Sequence, residues 1–244
     1  MILQDFVMLG KTIPEPSSDG RVFVCSAGVS PELRRLVRVY PLARGDAPRR
    51  WSICTVSVER NSRDSRDESF RLQGDRSKGS HERINKVAFA VTGTIAREHR
   101  ARLLDPFKAD SIDELNARRA SLGFLEPIGE PSLTFEFRED APDSPQLSLF
   151  AQTDEEAKKV GAKRFAYQPY LSFRDLHGWH RLQLRDWGAY EFMRKYGDER
   201  RDELREACRL HERPCLLVGN MNHQRNAWLV ISVLFPISQL VLTV

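Results

Sequence analysis

Apolar and polar residues alternate over several short stretches of the chain, as they do in β-strands with one buried face. The pattern predicts strands at residues 21–29, 36–41, 51–58, 133–138, 165–173, 180–184, 215–219 and 228–234. Residues 86–93 fit either a strand or a short helix. Turn-forming residues join the last two predicted strands, which indicates a hairpin.

Three stretches have helical character. Ser111 and Glu114 have the spacing of a capping box, which predicts the start of a helix at Ser111. Apolar residues at helical spacing predict a helix over about 186–196, and a highly charged second helix follows over 198–211. Residues 60–83 are dense in charge and contain few apolar residues, so we expect a long exposed loop there.

These elements predict a protein that is mainly β with some helix, an α+β fold. Its 244 residues are enough for one large or two small domains. We place a first domain at residues 1–130 and a second at 131–244. Within the second, residues 139–160 form an acidic segment that contains prolines and that we expect to be flexible.

Six segments resemble a bacterial family of dual OB-fold domains, in which two five-stranded barrels follow each other. They are VCSAGV (24–29), LVRVYPL (36–42), RDESFRL (66–72), SLGFLEP (121–127), HGWHRLQLRDW (177–187) and AWLVISVL (227–234). The resemblance implies two small OB-like β-barrels in tandem. OB barrels often bind oligonucleotides on one open face, and the resemblance brings no catalytic residues with it.

Composition excludes several classes of protein. Hydrophobic residues make up 41% and charged residues 30% of the chain, which is typical of a folded globular protein. No run of eighteen apolar residues is present, and Met1–Asp5 does not begin a secretion signal, so we expect a cytoplasmic protein without membrane contact. The four cysteines are scattered, which favours reduced thiols.

The positive charge of the chain is carried mainly by arginine. The formal net charge is +4, and the 38 basic residues are 30 Arg and 8 Lys. Arginine suits bidentate phosphate contact and stacking on bases. A genome rich in G and C would give the same excess, so both explanations stay open.

Residues Gln146, Leu147, Ser148, Leu149 and Phe150 resemble the consensus peptide by which bacterial proteins dock on the DNA polymerase sliding clamp. The glutamine amide would hydrogen-bond at the rim of the clamp channel, while the leucine and phenylalanine side chains would be buried in its apolar pocket. The acidic flanking residues favour an accessible peptide over a buried strand. The sequence therefore predicts the sliding clamp as a partner.

Arginines lie beside aromatic residues at several points, as in proteins that bind single-stranded nucleic acid. The candidate nucleic-acid-binding residues are Arg38, Tyr40, Arg174, Trp179 and Arg181. Trp179 lies between two histidines and follows a glycine, so we expect it to be exposed. We expect Trp51 and Trp187 to belong to the core.

A zinc site is a further alternative. His177 and His180 form one closely spaced pair, and Cys208 and His211 form a second, which resembles the ligand spacing of zinc sites. Such a site would support a DNA-processing enzyme, a nuclease or a base-processing activity, that uses the His177/His180 region.

We expect neither an enzyme nor a cofactor, since other catalytic motifs are missing from the sequence. Asp64, Asp67 and Glu68 alternate with arginines, which favours a solvated loop with ion pairs over a nuclease site. The chain has neither a phosphate-binding loop nor a nucleophile elbow.

The sequence thus predicts a DNA-associated accessory protein of a bacterium or mobile element, recruited to the replication or repair clamp. The alternatives are the DNA-processing enzyme and a protein that blocks the clamp without touching DNA.

Overall fold

The computed structural model describes residues 1–16, 22–43, 47–62, 64–73, 89–137 and 165–234. Over these residues the protein is mainly β with some helix, which confirms the predicted fold class. The predicted clamp-binding residues 146–150 lie outside the described residues, as does the whole of segment 139–160.

The first sheet has seven strands, of which five close into a barrel. The strands are β1 (Ile2–Lys11), β2 (Glu15–Pro16), β3 (Val22–Ser30), β4 (Arg35–Ala43), β5 (Ser52–Arg60), β6 (Ser69–Leu72) and β7 (Ala90–Thr94). Around the barrel the order is β1-β3-β4-β6-β5, and β5 pairs again with β1. Neighbours in this ring are antiparallel, except β4 and β6, which are parallel.

Strand β5 shows why the sequence pattern leads to a barrel. Its side chains alternate between buried and half-buried along the strand, and Cys54, Val56 and Val58 are buried. The alternation predicted for residues 51–58 is therefore confirmed. One row of side chains fills the barrel while the other lies on its outside.

Strand β1 bends sharply enough to serve both neighbours. Asp5 has a positive φ of 57°, and the register with β5 shifts between Leu3 and Phe6. Such bulges increase the local bend of a strand. A Cβ at Gly28 would lie 2.2 Å from the carbonyl oxygen of Val7, so the close approach of β3 to β1 requires glycine.

The second sheet also has seven strands, with the order β10-β11-β12-β14-β13-β9-β8. They are β8 (Lys108–Ala109), β9 (Leu122–Leu125), β10 (Ser132–Phe137), β11 (Tyr167–Arg174), β12 (Trp179–Leu184), β13 (Cys215–Asn220) and β14 (Trp228–Leu234). Strands β8 and β9 hydrogen-bond in this sheet although they precede residue 130, and the domain boundary at that residue stays a prediction.

The two sheets repeat one connectivity. Counted along the chain, the five barrel strands lie in the order first, second, third, fifth, fourth, and strands β10 to β14 lie in the same order. The third and fifth strands are parallel in both sets. In the second set, β13 pairs with β9 on the side where a closed barrel would bring it back to β10.

The two sheets pack on each other through a shared apolar core. Its buried members include Val7, Leu9 and Val29 from the barrel and Leu217 and Ile231 from the second sheet. A second cluster fills the space between the second sheet and its helices, and a third fills the barrel interior.

Polar side chains form a junction beside this core. Asp64 and Arg66 are 7% and 8% exposed, and Arg66 pairs with Asp64 and donates a hydrogen bond to the carbonyl oxygen of Asn220. The exposed loop expected at 60–83 is therefore wrong at Asp64 and Arg66, which are buried, and at Ser69–Leu72, which form β6, while Ser62, Ser65 and Asp67 are exposed. Residues 74–83 lie outside the described part.

The helices are short. They are α1 (Arg100–Leu104), α2 (Ile112–Ala117), α3 (Trp187–Tyr196) and α4 (Leu204–Ala207), with 3-10 turns at Arg97–His99, Asp105–Phe107, Asp198–Glu203 and Leu210–Glu212. The Ser111 hydroxyl accepts a hydrogen bond from the Glu114 backbone, which confirms the predicted cap. The single helix predicted at 198–211 is wrong, because the backbone leaves helical geometry at Arg200 and becomes left-handed at Arg209.

Among the residues that the structure describes, none of the helices combines the length and the apolar character needed to cross a membrane.

Candidate nucleic-acid interface

Three neighbouring strands, β10, β11 and β12, position the predicted nucleic-acid-binding residues of the second half of the chain. In β11 the side chains of Leu171 and Phe173 are buried in the core, so those of Tyr170 and Arg174 lie on the opposite side of the strand. This opposite side is exposed to solvent at Arg174 and half-buried at Tyr170.

Strand pairing brings β12 residues to the same side. Arg174 lies directly opposite Trp179, and Ser172 lies opposite Arg181. Trp179 is 73% exposed, as the sequence predicted. We refer to Tyr170, Arg174, Trp179 and Arg181 as the outer strand face.

Aromatic and cationic groups are in contact on this face. The guanidinium carbon of Arg181 lies 4.1 Å from the centroid of the Tyr170 ring. Arg181 also donates a hydrogen bond to the Glu136 carboxylate of β10. The bond from Arg181 has the largest effect on the pKa of Glu136 and lowers it below its usual value. A hydrogen bond between Tyr170 and Glu136 lowers it as well. The positive charge of Arg181 is therefore partly offset by Glu136.

The turn between β11 and β12 is organised by a buried carboxylate. Asp175 is 1% exposed and accepts hydrogen bonds from the backbone N–H groups of Ile112, His177 and Gly178. Burial alone would raise the pKa of Asp175. The three backbone hydrogen bonds and the neighbouring His180 together lower it by more, so the pKa lies below its usual value. The turn that leads to Trp179 is thus fixed from below by Asp175.

The two histidines around this turn have different surroundings. His180 Nε2 lies 2.7 Å from the Asp175 carboxylate, whereas His177 Nδ1 lies 3.1 Å from the Ser111 hydroxyl and 3.6 Å from the exposed Asp113. His180 therefore supports the turn, and His177 connects it to the N-terminus of α2.

The predicted zinc ligands are not brought together. Cys208 is buried in the apolar core of the second sheet, where burial raises its pKa to about 12, while His211 is exposed beside Glu206 and Glu212. Among the described residues no three His, Cys, Asp or Glu side chains are grouped so that they could hold a metal ion. The set His177, His180, Cys208 and His211 does not form such a group.

The structure places the first-half candidates elsewhere. Arg38 is 2% exposed and donates a hydrogen bond to the carbonyl oxygen of Ser121, so its guanidinium is enclosed between the two sheets. A residue enclosed in this way cannot reach a nucleic acid, and we leave it out of the interface. Tyr40 is half-buried against Phe23, with ring centroids 6.5 Å apart, and is not part of the outer strand face.

Sequence reasoning missed Tyr170 as a member of the face. Its signal was present, because the apolar residues Leu171 and Phe173 fix the inner row of β11 and leave Tyr170 and Arg174 in the outer row. The candidates from the sequence are instead arginines and aromatic residues adjacent along the chain, although adjacent residues of a strand lie on opposite sides of it.

Comparison with known proteins covers only the first part of the chain. A family model described as "Domain of unknown function (DUF8758)" matches residues 3–106, which span the strands of the first sheet and α1. No curated protein and no solved structure matches the chain.

Proposed function

We propose that the protein is an accessory factor that binds single-stranded nucleic acid on the outer strand face. The observation that carries the proposal is the placement of Tyr170, Arg174, Trp179 and Arg181 on one solvent-facing side of β11 and β12. Single-strand binders combine aromatic rings, on which bases stack, with cations that contact the phosphates. This face offers both.

The strand order supports an OB-like assignment for both sheets. A five-stranded barrel in which the third strand pairs in parallel with the fifth has the connectivity of the OB fold, and the second sheet repeats that order with helices between its third and fourth strands. OB folds bind oligonucleotides on their second and third strands. In the second sheet these strands are β11 and β12, which carry the outer strand face.

The charge of the face favours sequence-tolerant binding. Two arginines provide contacts to phosphate, and the exposed Trp179 offers a stacking surface to any base. Binding driven by phosphate contacts weakens as salt rises, because it depends on released counterions. We therefore expect modest affinity and a clear salt dependence.

Fluorescence anisotropy with a labelled single-stranded DNA of about 12 nucleotides tests this proposal. We expect binding that weakens with rising salt and that is tighter than binding to a duplex of the same length. Absence of binding at low salt would remove the proposal, and preference for the duplex would remove its single-strand part.

We further propose that residues 146–150 dock the protein on the bacterial sliding clamp. The support is the sequence Gln-Leu-Ser-Leu-Phe, which matches the clamp-binding consensus at each position and lies between acidic stretches. A tether of this kind would raise the local concentration of the outer strand face at the replication or repair site.

Titration calorimetry with the clamp of the host tests the docking. We expect a roughly micromolar dissociation constant, because ordering a flexible peptide offsets much of the favourable contact energy. Replacing Gln146, Leu149 and Phe150 with alanine should abolish the heat of binding, whereas Gln152→Ala, two positions beyond the peptide, should leave it unchanged. Equal binding by the triple variant and the wild type would contradict the docking. Clamp binding without DNA binding would favour the clamp-blocking alternative.

A further inference from the structure

A pocket of about 470 Å³ lies between the barrel and the start of α3. Its lining includes four cations and two tryptophans: Lys11, Arg49, Arg50, Trp51, Arg100 and Trp187. None of these residues belongs to the outer strand face. The volume lies in the range that is typical of sites for small ligands.

The described lining residues give the pocket a net positive charge. Among the described residues that line it there is no acid. Arg50 pairs with Asp186 at 2.9 Å, and the same Asp186 oxygen also accepts hydrogen bonds from the Ser232 hydroxyl and the Val233 N–H. Arg50 also donates a hydrogen bond to the carbonyl oxygen of Val233. Asp186 therefore offsets the charge of Arg50, one of the four lining cations.

The cations also disfavour one another. Burial lowers the pKa of Arg100 most, and the positive charges of Arg97 and Arg50 lower it as well. Glu98 has a smaller, opposite effect. An anion placed beside Arg100 would relieve this repulsion and would gain charge-assisted hydrogen bonds.

Each of the two indole rings in the pocket makes a cation–π contact with a lining residue. The guanidinium carbon of Arg100 lies 4.7 Å from the centroid of the Trp51 ring, and Lys11 Nζ lies 4.2 Å from that of Trp187. Trp187 packs against Tyr190 with ring centroids 5.7 Å apart, which holds the indole in place. Lys11 has a long flexible side chain, so its ammonium can move from the ring to a phosphate while a planar base stacks on Trp187.

We propose that this pocket binds a nucleotide, with the base on Trp187 and the phosphates between Arg49 and Arg100. The nucleotide is either free or the phosphorylated end of a nucleic-acid strand, since both present the same base and phosphate. Among the described lining residues no side chain is a carboxylate, an amide or a hydroxyl, so the described side chains offer a base hydrogen-bond donors but no acceptor. We therefore expect affinity to require a base but to change more with the number of phosphates than with the identity of that base.

Titration calorimetry of the full chain with ATP, adenosine and inorganic pyrophosphate tests both halves of the site. We expect ATP to bind at least about tenfold more tightly than either adenosine or pyrophosphate, because each of these lacks one of the two recognised parts. If adenosine matches ATP, the cations take no part. If pyrophosphate matches ATP, the pocket is only an anion site. Either result overturns the proposal.

Two substitutions locate the binding. Arg49 is exposed, so Arg49→Gln leaves the core intact and should weaken ATP binding about tenfold, and Trp187→Phe should weaken it less. Trp179→Ala, on the outer strand face, should leave ATP binding unchanged. ATP binding that survives Arg49→Gln but is lost in Trp179→Ala would assign the nucleotide to the other surface and overturn the pocket.

Oligonucleotides separate the two sources of the nucleotide. In the Trp179→Ala variant, a strand with a 5′ phosphate should bind more tightly than the same strand with a 5′ hydroxyl if the pocket takes a strand end, and ATP should compete with it. Equal binding of both strands together with tight ATP binding assigns the pocket to free nucleotides. Lack of binding by ATP and by both strands would refute the site, whatever the fate of the outer strand face.

Discussion

Arg174 and Trp179 are direct partners across the β11–β12 hairpin, and both side chains lie on its solvent side. A cation and an exposed indole at the same level of a sheet can contact the phosphate and the base of one nucleotide. The turn that joins the two strands is held by the buried Asp175, so the pair is presented by a fixed hairpin.

Substitutions at Glu136 and Arg181 should change nucleic-acid affinity in opposite directions. Arg181→Gln removes a cation from the face and should weaken binding a few-fold, whereas Glu136→Gln removes the carboxylate that pairs with it and should strengthen binding by a similar factor. Anisotropy titrations at low salt measure both. Arg60→Gln, an exposed arginine of the first sheet that pairs with Asp67, serves as the control and should have little effect. Weaker nucleic-acid binding by both the Glu136 and the Arg181 variants would contradict the assignment of binding to the outer strand face.

Asp64 should make the stability of the protein depend on pH in the acid range. Burial raises its pKa, but hydrogen bonds from Arg66 and Ser69 lower it to about 2, below the value of 3.8 for an ordinary aspartate. Because the folded pKa is depressed, the stabilisation is present above about pH 4 and is lost as the pH falls towards 2. It amounts to about 2 kcal/mol at neutral pH.

Urea unfolding of Asp64→Asn at pH 6 and pH 3 tests this expectation. The variant should be less stable than the wild type at pH 6, and the difference should shrink at pH 3. Asp67→Asn changes a neighbouring carboxylate that is 89% exposed and should show no such difference. A difference that is independent of pH would mean that the Asp64 charge does not stabilise the junction.

Removing the Asp175 carboxylate should loosen the β11–β12 turn. Asp175→Ala leaves the backbone N–H groups of Ile112, His177 and Gly178 without their acceptor, which should lower the free energy of unfolding by about 1–3 kcal/mol. Since the pKa of Asp175 is depressed, the stabilisation by its carboxylate should also decline as the pH falls below the pKa of a free aspartate. The exposed Asp113 provides the comparison, and equal stability of Asp113→Ala and Asp175→Ala in chemical denaturation would count against this role.

Much of the fold could be predicted because its signals are local. The alternation in β5 and the Ser111 cap each depend on a few neighbouring residues, and both are found in the structure. The closing of the barrel between β5 and β1 was not readable, since it depends on register between distant segments.

Several residues that sequence reasoning misplaced are covered by the other sheet. Arg38 lies between Val37 and Val39, so alternation puts it outside the barrel, but the second sheet packs against that outside and encloses it. Asp64 and Arg66 are buried because they pair with each other, and a paired charge can be buried where a single charge cannot. The lining of the proposed nucleotide pocket comes from four separate segments, so spacing along the chain could not reveal it.

The central claim is that single-stranded nucleic acid binds on the outer strand face, and the affinity of Trp179→Ala tests it most directly. Phe137→Ala is the matched control, because Phe137 is an aromatic residue of β10 that is 62% exposed and lies on the other side of its strand from Glu136. Anisotropy with single-stranded DNA should show a loss of about 1–3 kcal/mol for Trp179→Ala and little change for Phe137→Ala. Unchanged affinity in Trp179→Ala, with the fold intact by circular dichroism, would contradict the account.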